Sequence, residues 1–160
     1  MRIRNLLALG ALSATLLAGT AAAAEFTTLE LHIDVDKPAD AVWKKVGGYC
    51  DISAWLKMTC AMTAGKGELG SIRRLNDRID EVMVAQTATS YTYTQPTSTI
   101  LYHGTLEVLP NGANKSRINY SLFWDQAPLA DAAAKTKDRE SRQKAFTGAL
   151  ENMKKLAEGG

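Results

Sequence analysis

The C-terminal segment from Pro128 to Glu158 constrains this chain more than any other. Inside it only Gly148 weakens a helix, and Ala, Lys, Arg and Glu dominate. Phe146, Ala149, Leu150, Met153, Leu156 and Ala157 recur at the three- and four-residue spacing of a single apolar stripe. One long amphipathic helix must bury that stripe, and the preceding residues say against what.

Phe26 to Asp36 alternates Leu29, Leu31, Ile33 and Val35 with Glu30, His32, Asp34 and Asp36, a strand with one wet face. Pro38 suits the first turn of a helix and Asp40 its positive end, with Val42, Trp43 and Val46 as a short apolar face. Gly47-Gly48 ends that helix, and Asp51 is placed to cap a second short one carrying Trp55. From Lys57 to Gln126 the segments MTCAMTA, GSIRRLN, DEVMVAQT, SYTYTQ, ILYHGTLEVL and RINYSLFWD are separated by turn residues, and short loops favour antiparallel pairing. The plan is α+β. Only the final helix is long enough to cover the sheet, and a strongly curved sheet wrapped on one helix leaves a space suited to a ligand.

Gly65-Lys66-Gly67-Glu68-Leu69-Gly70 matches G-x-G-x-x-G, but a strand and a turn follow Gly70 instead of a helix. No helix N-terminus is available to hold a pyrophosphate, so the glycines form a hairpin connection and nucleotide binding is not expected. Cys50 and Cys60 have no partner in zinc spacing, His32 and His103 stand alone, and no metal or cofactor is expected.

The first residues read as a secretory signal peptide: Arg2 and Arg4, an apolar run from Leu6 to Ala18, then small residues placing cleavage after Ala23 or Ala24. The alternative is an uncleaved anchor, but Gly10, Ser13, Gly19 and Thr20 interrupt a stretch that just reaches the roughly 20 apolar residues a span needs. The expectation is residues 1–24 as signal peptide, 25–160 as one domain, and a periplasmic or secreted protein without a stable membrane anchor. Of 19 basic side chains against 17 acidic ones, the excess is Arg2 and Arg4. A neutral mature chain lacks the basic footprint of nucleic-acid binding. In an exported protein Cys50 and Cys60 are expected as an oxidised pair, the alternative being two reduced, buried thiols.

The order and spacing of PADAVWKKVGGYCDISAWL, GELGSIRRL, DEVMV, YTYTQP, YHGTLEV and RINYSLFW resemble the START-like (SRPBCC) superfamily, in its polyketide cyclase/dehydrase-like branch, across essentially all of the mature chain. The resemblance implies a helix-grip (Bet v 1-like) fold, a curved seven-stranded antiparallel sheet wrapped around the C-terminal helix with two short helices after the first strand. Many exported relatives carry the Cys50 and Cys60 positions, which supports the disulfide. The chain departs from the family at Trp55-Leu56-Lys57, where relatives have Trp-His-Pro, and at Pro96-Thr97-Ser98-Thr99, where they have a Pro-Leu-Pro-Val loop.

Strand alternation turns Tyr93, Tyr102, Tyr120 and Trp124 toward the helix, and His103 with Glu107 to the wet face, where a histidine is no catalytic base. The four rings either fill the core or find partners for their polar tips on a ligand, and the two are compatible. Arg73 and Glu81 stand four residues either side of Asp77, so a hairpin sets them opposite each other. The resemblance places both on the concave side. They form either a structural or exposed salt bridge, or a pair that orients a ligand's polar group. Met58 on the second strand, with Phe146, Ala149 and Asn152 from the helix, completes the candidate set. The expected function is an exported binder of a small hydrophobic or aromatic molecule, such as a lipid, polyketide-like or isoprenoid compound. The alternatives are a cyclase or dehydratase with Glu81 as acid or base, and a cell-envelope interaction protein with a closed cavity.

Overall fold

The structure, a computed structural model, describes residues 23–159. The expected signal peptide, up to residue 22, lies outside the described residues. No described helix is long and apolar enough to cross a membrane.

The chain runs β1 (Phe26–Val35), α1 (Ala39–Val46), α2 (Ile52–Trp55), β2 (Cys60–Ala64), β3 (Ile72–Leu75), β4 (Ile79–Gln86), β5 (Ser90–Thr94), β6 (His103–Pro110), β7 (Ser116–Asp125) and α3 (Ala132–Glu158). The seven strands form one antiparallel sheet in the order β1-β7-β6-β5-β4-β3-β2. Only the closing β1–β7 pair joins strands distant in sequence, so hairpins build nearly all of the sheet. This is the helix-grip fold that the family resemblance implies.

Local chemistry explains most boundaries. Gly65, Gly67 and Gly70 take φ values of 72°, 107° and 86° in the β2–β3 connection, left-handed conformations that glycine adopts without a Cβ clash. The G-x-G-x-x-G is therefore a turn. Asp131 caps α3 by accepting from the Ala134 N–H at 2.8 Å, and Gly159 ends it at φ 92°. β6 starts later than the sequence implies, because Leu101 adopts φ 49° and breaks the strand before His103. Asp51 also departs from expectation. It precedes α2, but its carboxylate turns back to accept from the Gly48 N–H at 2.7 Å, leaving the helix without a side-chain cap.

The helix does not bridge the sheet's centre. It lies along β1, touches β7, and leans on α1 and α2. Its apolar stripe is buried at Phe146, Ala149, Leu150 and Met153. The rest of the concave side is filled by large side chains, among them Trp55, Tyr91, Tyr93, Tyr120, Leu106 and Trp124, each almost wholly inaccessible. A disulfide joins Cys50, just before α2, to Cys60 at the start of β2. It pins the short helices to an edge strand that buries little of its own surface.

Candidate functional site

Between α2, α3 and the β3–β6 part of the sheet lies a cavity of about 150 Å³. Its apolar walls are Ile52 and Leu56 from α2 and its end, Met58, Leu75, Ile79 and Phe146. Its polar lining is Glu81, Tyr93, Gln95, Tyr102 and Arg142. The hollow thus combines an oily wall with a few polar side chains gathered along one part of its lining.

Glu81 is held by the residues behind it. Its Oε2 accepts from Arg73 Nε at 2.8 Å and lies 2.6 Å from Arg73 Nη2, a separation of ionic contact that lacks the alignment of a hydrogen bond. Its Oε1 accepts from Gln95 Nε2 at 2.9 Å. Arg73 is fully buried: Nη1 donates to the Tyr49 carbonyl, and the guanidinium lies 4.3 Å from the Tyr49 ring and 4.8 Å from the Tyr93 ring. Burial works against the Arg73 charge, but the surrounding phenols and Glu81 more than offset it and hold the group above its ordinary range. Arg73 and Glu81 therefore form one anchored unit, of which only the Glu81 side reaches the cavity.

The phenols are arranged in depth. Tyr93 and Tyr120 share a hydrogen bond of 2.9 Å between their hydroxyls, so each satisfies the other. Burial raises both well above the usual tyrosine value and pushes Tyr102 up to about 12. At neutral pH the cavity therefore presents Tyr102 as an uncharged hydroxyl able to donate or accept. Gly104 lies directly across from Tyr93 on the neighbouring strand, and a Cβ there would stand 2.4 Å from the phenol oxygen. The glycine makes room for the ring.

Arg142 was not among the residues singled out in the sequence. Its Nε donates to both Asp138 carboxylate oxygens, at 3.1 and 3.0 Å, and its guanidinium lies 5.1 Å from the Tyr102 ring and 4.9 Å from the Trp124 ring. A guanidinium carries five N–H donors, and Asp138 engages the one on Nε. One signal pointed to it: Asp138, Arg142 and Phe146 repeat at four-residue spacing, which extends the buried stripe toward the helix N-terminus.

The structure brings Met58, Glu81, Tyr93, Tyr102 and Phe146 together at the cavity, with Arg73 immediately behind. Met58 does so from the turn before β2, not from the strand. Tyr120, Trp124 and Ala149 point inward but are packed into the core away from the cavity lining. Trp124 Nε1 is buried without a hydrogen-bond partner among the described residues. Asn152 is likewise elsewhere, donating from Nδ2 to the Trp55 carbonyl at 3.0 Å, where it fastens α3 to α2. His103 is half-buried, with Nδ1 2.8 Å from the Leu101 carbonyl and its ring against Phe123, outside the cavity. Among the described residues no cluster of His, Cys, Asp and Glu has the geometry to hold a metal.

A curved sheet gripping a terminal helix around a partly polar hollow defines the helix-grip class of cavity proteins. Within it, the chain belongs to the polyketide cyclase/dehydrase and lipid transport family, whose model matches residues 27–158. Solved structures share the fold at low identity. A protein of Nitrosospira multiformis is 21% identical with a TM-score of 0.68, over 81% of this chain and 96% of its own. The Zhui aromatase/cyclase of a Streptomyces species is 13% identical with a TM-score of 0.69, over 84% and 94%. The truncated norcoclaurine synthase of Thalictrum flavum is 13% identical with a TM-score of 0.61, over 88% and 99%. No curated protein matches the chain in sequence.

Proposed function

We propose that this protein binds a small hydrophobic or aromatic molecule bearing a hydrogen-bonding group, in the cavity between α2, α3 and the sheet. The cavity carries this reading: apolar walls for the body of the guest, and Arg142, Tyr102 and Gln95 for its polar end. Its volume of about 150 Å³ sets the scale. An apolar cavity of about that size accommodates a benzene-sized molecule, whereas drug-sized ligands use roughly 300 Å³ or more. Within the lipid, polyketide-like and isoprenoid range, the guest is a single-ring compound or a short branched one. A fused-ring polyketide or a full acyl chain requires α2 and the Met58 turn to move outward.

The family description and the presence of Tyr102 and Glu81 in the lining of one cavity support a second reading, a cyclase or dehydratase in which the phenol polarises a carbonyl and Glu81 moves a proton. Against it stands the commitment of both Glu81 oxygens, one to Arg73 and one to Gln95. Binding is therefore the primary activity, with the protein acting as a carrier or sequestering module of the cell envelope.

Native mass spectrometry of gently purified protein, together with thermal unfolding in the presence of benzoate, salicylate, phenol, geraniol and octanoate, tests the proposal. A co-purifying adduct, or stabilisation by at least one probe, is expected; saturation at a hundred times the dissociation constant adds about 2.7 kcal/mol. No adduct and no stabilisation by any of them overturns it. Turnover of a bound probe that Glu81→Gln abolishes while binding persists establishes the second reading instead.

A further inference from the structure

Glu25 is held at three points. Its N–H donates to Asp125 Oδ1 at 2.7 Å, its carbonyl accepts from the Gln126 N–H at 2.8 Å, and its side chain pairs with Lys135 Nζ. Ala23 and Ala24 before it are exposed. The domain is thus fastened at the residue that follows Ala22-Ala23-Ala24, where small residues occupy the −3 and −1 positions of a leader cleavage site.

Asp125, at the end of β7, is 8% exposed. Its Oδ1 takes a second hydrogen bond from the Ala127 N–H at 2.8 Å. Both donors are neutral amides in the uncut chain, and none of the ion pairs among the described residues includes Asp125. A carboxylate so withdrawn from water is costly without a charged partner. Lys135 stands on the Glu25 carboxylate and does not supply one.

We propose that the leader is cut between Ala24 and Glu25, and that the new α-ammonium of Glu25 becomes the charge partner of Asp125. This rests on the reading of residues 1–24 as a signal peptide. The bond broken is the amide between the Ala24 carbonyl carbon and the Glu25 nitrogen. Water supplies hydroxyl to Ala24 and a hydrogen to the nitrogen, which takes up a further proton because an α-amine ordinarily titrates near 8. A neutral N–H donor then becomes a charged one at the same position, and charge-assisted bonds are roughly twice as strong as neutral ones. Cleavage after Ala23 leaves Ala24 on that nitrogen, which stays an amide and leaves Asp125 unmatched.

The mass and N-terminal sequence of protein recovered from the exporting cell give the first test, and Glu25 is the expected first residue. Any other N-terminus overturns the inference, and an intact leader overturns the export reading with it. Asp125→Asn gives the second, since asparagine keeps the Oδ1 acceptor and loses only the charge. It is expected to lower the folding equilibrium constant of the processed protein at least ten-fold more than that of the full 160-residue chain with its leader attached. Equal effects in the two forms overturn the ion pair.

Discussion

Arg73 and Glu81 face each other across the β3–β4 hairpin as paired residues, with Nη2 and Oε2 2.6 Å apart and side-chain exposures of 0% and 3%. One partner looks toward the cavity and the other into a cage of tyrosine rings. The pair lies behind the polar part of the cavity lining, so its integrity sets the position of Glu81 and, through Oε1, of Gln95.

Glu81→Gln leaves the Arg73 cation buried without its counter-charge and is expected to destabilise the protein by about 3–5 kcal/mol. Arg73→Met combined with Glu81→Leu removes both charges and is expected to recover most of that loss, because replacing a buried pair with apolar groups of similar size is often near neutral. Urea unfolding of wild type, single and double variants measures the difference. Equal instability of the single and double variants contradicts the coupling.

All five tyrosines are buried, and burial raises each phenol above its ordinary value of 10.0, with Tyr102 reaching about 12. Below pH 10 the folded and unfolded chains both keep these protons and the phenols impose no pH dependence. Above it the unfolded chain releases them while the folded chain does not, so stability falls as pH rises from about 10 toward and beyond 12. Phenolate absorbance is expected to stay flat up to about pH 10 and then rise in one step with loss of far-ultraviolet circular dichroism. A gradual rise in a still-folded protein contradicts the burial.

The fold was legible because its signals are local. Alternation marks the strands, turn residues divide them, and the stripe from Phe146 to Ala157 leaves one possible cover. The Arg73–Glu81 pairing was legible for the same reason, since a hairpin centred near Asp77 fixes which residues face each other. Depth was not legible. Alternation turns Tyr120 and Trp124 inward as surely as Tyr93 and Tyr102, but only sheet curvature and the lean of α3 toward β1 decide which rings reach the cavity. Arg142 lies one turn before Phe146, where the apolar stripe begins. Its place in the site depends on the faces of Tyr102 and Trp124, contributed by residues far from it in sequence. Asp51 failed as a cap because the glycine turn before it offers its carboxylate a nearer donor in Gly48.

Gly104→Ala places a methyl group 2.4 Å from the Tyr93 hydroxyl on the paired strand, and the ring has to move. The Tyr93–Tyr120 hydrogen bond is lost with it. Overpacking of this kind typically costs about 1–3 kcal/mol. Thermal unfolding should show that loss, and Tyr93→Leu in the same background should relieve part of it by removing the clashing ring. An unchanged midpoint for Gly104→Ala shows that the ring is not confined against the glycine.

Leu56→Trp separates guest binding from stability. Leu56 is half-buried at the end of α2 and lines the cavity, so a larger ring there has a hollow to enter without displacing the packed interior. A benzene-sized guest needs nearly all of a cavity of about 150 Å³, so even the part of it that the larger ring takes up excludes such a guest. The expected outcome is an unfolding midpoint equal to or slightly above that of wild type, because burying apolar surface in an existing void is favourable at roughly 25 cal/mol per Å². Stabilisation by benzoate or any other effective probe should disappear. Arg142→Ala is expected to act differently: it leaves the apolar walls in place and weakens anionic or carbonyl-bearing probes about ten-fold or more, while sparing uncharged hydrocarbon ones. Calorimetric titration of the two variants against one anionic and one neutral probe reads both effects. A Leu56→Trp protein that still binds at wild-type affinity places the guest outside this cavity.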